Sequence, residues 1–344
     1  MGLRRSYEEA RREERPSQTT PLLRVQNLQK HFPIRQGLFR RKVDAIKVVN
    51  DVSFAVYPGE TVAIVGGKAS GKSMLGRTIM QLETSTGGRI YLNDQQLQRL
   101  RKKQLRQVRQ QMGMLFQDPY ASLSPHMRLR EIIGEPLRIH QLEQSPQQVA
   151  KLLSAVGLNP YFHDRYPFEF SGGQRQRINI ARVLATQPSI MVLDEPLAFL
   201  DPNVRLKIQE LLLSLKTQNK LTYLWLTSSL QTALYVADRV GILYLGRLVE
   251  IGSPAELRER PLHPYTQHLF STLPQTEGKK ERGRQKISLP GQRQTFENSV
   301  SGCLFHPRCA YATEHCRRAV PEPREIPPAA AHTVACHHAD QFLE

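Results

Sequence analysis

The hydrophobic pattern of the chain changes at Leu22, where a polar, charged segment gives way to short apolar runs. The runs Val48–Val56 and Thr61–Val65 stand on either side of Tyr57–Glu60, whose Pro-Gly pair is a turn signal, so both runs predict strands. Ile190–Leu193 is continuously apolar and is bounded by polar residues, which is typical of a strand buried on both faces of a parallel sheet.

Helical and strand-like segments alternate along the rest of the chain. A helix is predicted over about Ser73–Leu82, and apolar runs at Leu221–Leu226 and Arg239–Leu245 predict further strands. Residues 118–185 lie between the two strand-rich blocks and have the pattern of helices and loops. This alternation predicts an α/β fold, with a mostly parallel sheet core and a helical insertion at about 118–185.

Composition divides the chain into three parts. Residues 1–20 are polar and charged and predict a basic, flexible tail. Residues 21–274 contain the predicted strands and helices of the core. Residues 275–344 are rich in Pro, Arg and Gly and carry all four cysteines, so we expect a small C-terminal extension separate from the core.

Charge and composition exclude several classes of protein. With 40% hydrophobic residues the chain is not globally disordered, and no run approaches the roughly 18 apolar residues of a membrane-spanning helix.

Its 48 Lys and Arg exceed 31 Asp and Glu, giving a formal net charge of +17. Basic clusters without an aromatic-rich motif favour a solvated surface near a membrane, and we expect no nucleic-acid partner. The start of the chain lacks the apolar core of a signal peptide, so we expect no export.

A glycine-rich loop follows the predicted strand at 61–65 and opens the predicted helix. It fits the pattern G-x-x-x-x-G-K-[ST], with residues Gly66, Gly67, Lys68, Ala69, Ser70, Gly71, Lys72 and Ser73. Glycines let successive backbone N–H groups turn towards phosphate oxygens, and the helix presents its positive end there. We expect Lys72 to reach the β- and γ-phosphates of a nucleotide and Ser73 to ligate Mg²⁺. The alternative, an ordinary glycine turn, leaves the following motifs unexplained.

An acidic pair, Asp194–Glu195, comes directly after the apolar run at 190–193. Adjacent carboxylates at the end of a buried strand are costly to desolvate without a cation, so packing does not explain them. We expect Asp194 to hold Mg²⁺ and Glu195 to polarise the attacking water as a general base.

The string Phe170–Arg177, FSGGQRQR, resembles the signature motif of ATP-binding-cassette (ABC) ATPases, and the order of the motifs along the chain matches as well. More narrowly, Phe116–Pro125 and His263–Phe270, followed by the cysteine-bearing tail, resemble the oligopeptide, dipeptide and nickel importers of that family. The resemblance covers about residues 22–340. It implies an ABC-type P-loop nucleotide-binding domain at 21–274, with ATP and Mg²⁺ as ligands.

The resemblance also implies roles for individual side chains. Phe32 aligns with the aromatic residue that stacks on adenine, with a plain core phenylalanine as the alternative. Gln117 matches the residue that senses Mg²⁺ and the γ-phosphate and links the core to the helical insertion. Asp201 matches the aspartate that communicates across a cassette dimer.

The signature serine has a local explanation too. Ser171 can cap a helix that begins near Gln174, which leaves glycine N–H groups exposed to an anion. The family implies that this helix end faces the γ-phosphate bound by a second ABC ATPase subunit, through Ser171, Gly172, Gly173 and Gln174. It further implies two integral-membrane permease subunits, an extracytoplasmic solute-binding protein acting indirectly, and a peripheral location on the cytoplasmic face of the inner membrane.

Three features depart from the family pattern. Ser228 stands where the switch histidine is expected, and a hydroxyl cannot bridge the γ-phosphate and a carboxylate as an imidazole does. Lys68 and Ala69 replace the usual Ser and Gly of the loop, and Leu197–Asp201 reads LAFLD where the family has SALD after one residue. We expect a heterodimer in which this subunit's own site binds ATP but hydrolyses it slowly. The alternative is that Glu195 alone suffices for hydrolysis.

The cysteines of the extension predict a local metal site. Nothing indicates secretion, so two disulfides are not expected. Gaps of five, six and nineteen residues, without the C-x₂₋₄-C pair usual in zinc sites, separate Cys303, Cys309, Cys316 and Cys336. Four thiolates suit an iron–sulfur cluster, and the resemblance implies a structural [4Fe–4S] centre. Zinc and unliganded thiols are alternatives, as is mixed ligation by His306, His332, His337 or His338.

The sequence therefore predicts the ATPase subunit of a bacterial ABC importer for peptides or similar small solutes. A non-catalytic, nucleotide-sensing subunit is one alternative, which Ser228 keeps open. A soluble ABC ATPase of DNA repair or translation is another, although such proteins usually have long coiled-coil insertions or two cassettes in one chain. The permease and the binding protein choose the solute, so peptides, nickel chelates and glutathione all stay open.

Overall fold

A computed structural model of the chain shows two β-sheets with helices packed on them. It describes residues 20–36, 41–273, 287–290, 295–296, 300–327 and 329–343. The predicted basic tail thus lies outside the described residues except for Thr20, and so do most of the residues at 274–299. Among the residues described, no helix is both long and apolar enough to cross a bilayer.

The strands form two sheets. Within the described ranges they are, in chain order, β1 (Leu23–Gln36), β2 (Arg41–Val56), β3 (Thr61–Val65), β4 (Gly87–Leu92), β5 (Gln95–Gln96), β6 (Met112–Leu115), β7 (Ile190–Asp194), β8 (Thr222–Thr227), β9 (Arg239–Tyr244), β10 (Arg247–Gly252), β11 (Arg324–Ile326) and β12 (Ala329–Val334). One sheet has the order β2-β1-β4-β5 and is antiparallel; the central sheet has the order β11-β12-β10-β9-β3-β8-β7-β6. The prediction of an α/β fold is confirmed.

The helices lie between these strands. In the described part of the chain they are α1 (Lys72–Ile79), α2 (Lys102–Gln110), α3 (Leu129–Ile139), α4 (Pro146–Ala155), α5 (Gly172–Leu184), α6 (Pro202–Asn219), α7 (Leu230–Val236), α8 (Pro254–Glu259), α9 (Pro264–Ser271) and α10 (Glu314–Arg318). The segment predicted as a helical insertion, 118–185, contains α3, α4 and α5, which contact one another.

The central sheet is buried on both faces because its strands alternate between two hydrophobic clusters. In β3, Val62 and Ile64 lie in one cluster, while Ala63 and Val65 lie in the other. Every residue of β3, β7 and β8 is buried, as expected for parallel strands covered by helices on both sides. The continuous apolar run at 190–193 is therefore explained by the place of β7 between β8 and β6, covered on both faces.

The C-terminal extension joins the edge of this sheet. β12 pairs antiparallel with β10, with Glu250 opposite Val334, and β11 pairs with β12. Phe305 is fully buried, and its ring centroid lies 5.2 Å from that of Tyr244 and 5.5 Å from that of Tyr265. The extension is thus attached to the core by strand pairing and by aromatic packing.

Candidate functional site

The predicted site segments meet at one edge of the central sheet. β3, β8, β7 and β6 are neighbouring parallel strands, with Val65 opposite Thr227 and Leu115 opposite Leu193. The carboxyl ends of parallel strands lie at the same edge, so the segments that follow them come together. These segments are the glycine-rich loop, Ser228, the acidic pair and Gln117.

The glycine-rich loop has a backbone that only certain residues can adopt. Gly71 has φ +99°, and a Cβ there would collide with the backbone oxygen of Val48, so this position needs glycine. Ala69 also lies in the left-handed region, at φ 58°, where the family pattern has glycine. Gly71 offers no capping side chain, so the N–H groups at the start of α1 have no side-chain cap, which suits the binding of a phosphate there.

Lys72 lies beneath this loop with its side chain buried. Its Nζ donates hydrogen bonds to the carbonyl oxygens of Gly66 at 2.8 Å and Gly67 at 3.0 Å. The same Nζ lies 3.5 Å from Oε1 of Glu195. Lys72 thus holds the loop in shape and places a positive charge beside the acidic pair.

Asp194 and Ser73 form a small group of oxygen ligands. The Ser73 hydroxyl donates a 2.9 Å hydrogen bond to Oδ1 of Asp194, which is only 1% exposed. Burial raises the pKa of the Asp194 carboxyl, and the hydrogen bond from Ser73 partly opposes that rise. A buried carboxylate beside a hydroxyl has the hard oxygen donors that Mg²⁺ prefers, so the residues present fit this ion.

Glu195 is aimed at the loop by its backbone. Its φ is 45°, in the left-handed region, and its N–H donates to the carbonyl oxygen of Leu226 at 2.9 Å. The Ser228 hydroxyl donates to Oε2 of Glu195 at 3.3 Å, while Lys72 approaches the other carboxylate oxygen. The residue in the place of the switch histidine therefore contacts the carboxylate, but with a short side chain.

Three further predicted residues lie on exposed surfaces. Gln117 is exposed and follows β6 by two residues, and Asp201 is exposed at the start of α6. Phe32 on β1 is 36% exposed, with Nζ of Lys30 at 4.9 Å from its ring centroid. An exposed ring does not match the alternative of a core phenylalanine. The nucleotide contacts of these three residues stay predictions.

The signature helix begins earlier than the sequence predicts. α5 starts at Gly172 rather than near Gln174, because Ser171 and Gln174 form a capping box. The N–H of Gln174 donates to Oγ of Ser171 at 3.4 Å, and Oε1 of Gln174 accepts from the N–H of Ser171 at 3.0 Å. Gly172 and Gly173 are therefore the first helical residues, and the exposed Ser171 stands at the positive end of the helix.

The four cysteines converge in the extension. The N–H of Cys303 donates to the carbonyl oxygen of Cys316 at 2.8 Å, and Nε2 of His338 lies 3.3 Å from Sγ of Cys316. Burial raises the pKa of Cys303 to about 11 and that of Cys336 to about 12, with smaller contributions from neighbouring cysteines. Yet the described residues contain no group of three His, Cys, Asp or Glu side chains that could hold a metal ion. Cys303 and Cys316 thus lie side by side, and the described residues show no formed metal site.

Histidines considered as mixed ligands have other partners. His332 is buried, and its Nε2 lies 2.8 Å from Oε1 of Glu250, far in sequence on β10. His306 contacts the carbonyl oxygen of Cys303 and His337 contacts that of Ala319. His338 is the histidine that contacts cysteine sulfur.

Sequence reasoning missed two polar contact sets. Glu250 is 1% exposed and accepts hydrogen bonds from the N–H groups of Leu262 and His263 as well as contacting His332. A lone glutamate in the apolar run of β10 was the available signal. The second set lies on α5, where Arg175, Asn179 and Arg182 recur at helical spacing and contact residues 119–122.

Family models match two parts of the chain. Residues 49–198 match the model described as ABC transporter, and residues 249–316 match the oligopeptide/dipeptide transporter C-terminal region. The chain is 42% identical over 320 residues to the oligopeptide transport ATP-binding protein AppF of Bacillus subtilis, covering 92% of this chain and 97% of that protein. It is 38% identical over 325 residues to the di/tripeptide transport ATP-binding protein DppF of Pseudomonas aeruginosa, covering 94% and 99%.

Solved structures show the same architecture. The dimeric structure of a post-hydrolysis state of the ATP-binding cassette MJ0796, bound to ADP and Pi, matches with a TM-score of 0.59 and 26% identity. The match covers 67% of this chain and 98% of that one.

Proposed function

The chain belongs to the ABC transporter family, in its oligopeptide/dipeptide branch, and we propose that it is the ATP-hydrolysing subunit of an importer for peptides or similar small solutes. The observation that carries this proposal is the meeting of the glycine-rich loop, the Ser73–Asp194 pair and Glu195 at one edge of the central sheet. The fold alone does not identify the activity, whereas this set of side chains suits phosphoryl transfer.

Each part of the site has its own role in the hydrolysis of ATP. The loop N–H groups and Lys72 bind the phosphates, while Ser73 and Asp194 would hold Mg²⁺, which neutralises charge on the phosphate oxygens. Glu195 orients the attacking water and accepts its proton at a carboxylate oxygen. The bond from the γ-phosphorus to the bridging oxygen breaks as the new bond to water forms, and ADP leaves with inorganic phosphate as the second product.

We propose that hydrolysis at this subunit's own site is slow. The Ser228 hydroxyl reaches Glu195 at 3.3 Å and has no second polar group with which to contact a γ-phosphate at the same time. Loss of that bridge would remove transition-state stabilisation, and about 2.7 kcal/mol is enough for a 10²-fold slower reaction. The residues expected to bind ATP and Mg²⁺, namely Lys72, Ser73 and Asp194, by contrast keep the family pattern.

We propose that the partner is a second, different ABC ATPase subunit. The exposed Ser171 at the start of α5 and the exposed Asp201 before α6 are available to another cassette. In such a heterodimer the signature of this chain would complete a competent site on the partner. Two permease subunits would dock on the cytoplasmic side of the inner membrane, with a solute-binding protein delivering the solute from the other side.

We also propose that the four cysteines hold a structural [4Fe–4S] cluster. Support comes from their number and their closeness in the extension, where Cys316 is buried and the other three are half-buried, since four thiolates are the usual ligand set of such a cluster. Zinc is the alternative. Brown colour and iron with sulfide in a preparation kept under nitrogen would support the cluster; zinc alone, or no metal, would contradict it.

The experiment that tests the function is hydrolysis by the complex that co-purifies with this subunit. We expect permease chains and a second cassette in the complex, with ATP turnover that rises when a peptide-loaded binding protein is added. A chain that binds MgATP without any permease partner would contradict the importer proposal.

A second function is favoured by Ser228, namely a nucleotide-sensing subunit that never hydrolyses. Single-site turnover, measured with the catalytic glutamate of the partner cassette replaced, separates the two. Slow but Glu195-dependent hydrolysis supports an enzyme, and a background rate that Glu195→Gln does not lower supports the sensor.

A further inference from the structure

A lysine charge is nearly buried beside the residue predicted to stack on adenine. Lys30 on β1 is 9% exposed, and lysine is seldom buried unless its ammonium has partners. Lys30 and Phe32 are two residues apart on a strand, which puts both side chains on one face of the sheet. The roles in hydrolysis described above make no use of Lys30.

The Lys30 ammonium is held by polar groups and contacts an aromatic ring. Its Nζ donates a 2.9 Å hydrogen bond to the carbonyl oxygen of Thr84 and lies 3.0 Å from Oε2 of Glu83. The same Nζ lies 4.9 Å from the ring centroid of Phe32, which is cation–π geometry. Two polar groups therefore hold the cation against the ring.

The segment 83–86, here the anchor segment, is itself attached to β1. The N–H of Thr86 donates to the carbonyl oxygen of Gln29 at 2.8 Å, and the N–H of His31 donates to Oγ1 of Thr86 at 3.1 Å. These two hydrogen bonds reach β1 just before and just after Lys30. The partners of the ammonium are thus fixed relative to the strand that carries it.

The anchor segment follows closely after the helix that begins at the phosphate loop. The chain leaves α1 through a left-handed residue, Gln81 at φ 55°, and the N–H of Leu82 donates to the carbonyl oxygen of Arg77 at 2.9 Å. Because α1 starts at Lys72, its first turn lies at the phosphate loop and its last turn leads towards the anchor segment. One helix therefore connects the phosphate loop with the support of the ring.

A fixed cation changes what it costs the ring to bind a base. The ammonium lies over one face of the Phe32 ring, so a base can stack only on the other face. A free aromatic side chain loses rotamer freedom when a ligand stacks on it, whereas a ring that is already held loses less. The cation also offsets the negative charge of the ring face, which lessens its repulsion of an electron-rich purine.

We propose that Lys30 is a positioning residue for the base of the nucleotide: its ammonium, fixed by the anchor segment, holds the Phe32 ring ready to stack on adenine. Lys30 acts through the ring and does not touch the nucleotide. The inference rests on the proposed function, with ATP as the ligand, and on the predicted place of Phe32 at its base.

Three positions are changed to separate the ammonium from the ring. Lys30→Met removes the charge and keeps most of the apolar stem, so the fold should tolerate it at a position that is 9% exposed. Lys30→Gln also removes the charge and serves if the methionine variant folds poorly. Phe32→Leu removes the ring. Lys47→Met makes the same change of charge on the neighbouring strand β2, where the lysine is exposed, and is the matched control.

The measurement is the dissociation constant of the full chain for two probes, MgATP and magnesium tripolyphosphate, which carries phosphates without a base. Both Lys30 variants should weaken MgATP binding by at least ~5-fold, which corresponds to the loss of one cation–π contact, and leave tripolyphosphate binding unchanged. In a chain that carries Phe32→Leu, either substitution of Lys30 should have no further effect, because the ring through which Lys30 acts is gone. Lys47→Met should change neither constant.

Each alternative gives its own result. Equal losses for both probes would show that Lys30 merely supports the fold of the site, and a loss of MgATP affinity that persists beside Phe32→Leu would show that Lys30 acts without the ring; either result overturns the proposal. Unchanged MgATP binding in the Lys30 variants overturns it as well, and so does MgATP binding that Phe32→Leu alone does not weaken. Failure of the proposed function is distinct: the unsubstituted chain then binds no MgATP, and the role of Lys30 falls with it.

Discussion

The nucleotide edge, meaning the loops at the carboxyl ends of β3, β6, β7 and β8, and the cysteine-bearing extension hold their ionisable side chains in different ways. Both place polar, ionisable side chains close together in a largely buried setting. At the nucleotide edge, parallel strands in fixed register place Asp194 and Glu195 beside the glycine-rich loop. Asp194 accepts a hydrogen bond from Ser73, and Glu195 pairs with Lys72. In the extension, short turns bring the cysteines together, and burial raises the pKa of thiols such as Cys303.

This difference shows what fixes the side chains of a site before the ligand binds. Strand register fixes side chains whether or not the ligand is bound, so the nucleotide edge is ready for MgATP. Buried thiols with raised pKa are protonated and weakly polar, and only a ligand that takes thiolates would order them further. The following predictions test this contrast, from the largest expected effect to the smallest.

Lys72→Ala should have the largest effect, because it removes both the charge beneath the loop and the hydrogen bonds that hold the loop. With each hydrogen bond to a charged group contributing about 1.5–3 kcal/mol, we expect at least ~100-fold weaker MgATP binding. Titration with a fluorescent ATP analogue measures it. Lys68→Ala, on the exposed part of the same loop, is the matched control and should change affinity only a few-fold. Equal losses in the two variants would contradict the special place of Lys72.

Glu250→Gln should destabilise the junction of extension and core. The carboxylate accepts from two backbone N–H groups at 2.8 and 2.9 Å and contacts His332, and an amide can supply only one acceptor oxygen. Leaving a buried group unsatisfied costs about 1–3 kcal/mol, so the melting temperature should fall by roughly 5 °C. Glu259→Gln, exposed on α8, should leave it unchanged. An unchanged melting temperature for both would show that the Glu250 network contributes nothing.

Ser228→His should restore the bridge between Glu195 and the γ-phosphate. We expect own-site turnover to rise about tenfold, which corresponds to roughly 1.4 kcal/mol of transition-state stabilisation. Ser228→Ala, which removes only the 3.3 Å hydrogen bond to Glu195, is the control and should leave turnover near its starting value. Single-site assays in the complex measure both. If the histidine variant is no faster, Glu195 alone suffices and the slow-site hypothesis is wrong.

Acidification should weaken the junction by a smaller amount through His263. Burial lowers the pKa of this imidazole to about 3 from a usual 6.5, and its Nδ1 accepts from the N–H of Tyr265. A depressed pKa gives stability that is complete above pH 6.5 and is lost as pH falls from there towards 3. At pH 5.5 the loss is about 1.4 kcal/mol relative to pH 7.5. His263→Asn keeps the acceptor without the titration, so its unfolding free energy should change less over that interval; an identical pH dependence would exclude His263 as the cause.

Much of the core could be predicted from the sequence because short sequence patterns determine its strands and its phosphate-binding loop. The apolar run at 190–193, the glycine loop and the acidic pair each have a pattern that strand burial or phosphate binding demands, and β3, β7 and α1 form where those patterns stand. The start of α5 was misplaced by two residues, because the capping box of Ser171 and Gln174 draws the glycines into the helix.

The contacts that join distant segments could not be predicted in the same way. Glu250 meets His332 across 82 positions of sequence, and Asn179 meets Pro119 across 60. A sequence shows that Arg175, Asn179 and Arg182 share a helix face, but not which turn lies against it. The backbone contact between Cys303 and Cys316 likewise depends on how the extension folds, which the sequence does not show.

The pairing of β12 with β10 has a consequence for shortened forms of the protein. A cassette that ended near residue 273 would lose β11 and β12 and present β10 as a bare strand, with its peptide groups open to any other chain. Such exposed edges invite intermolecular sheet formation. The extension therefore covers part of the edge strand β10, quite apart from any cofactor it carries.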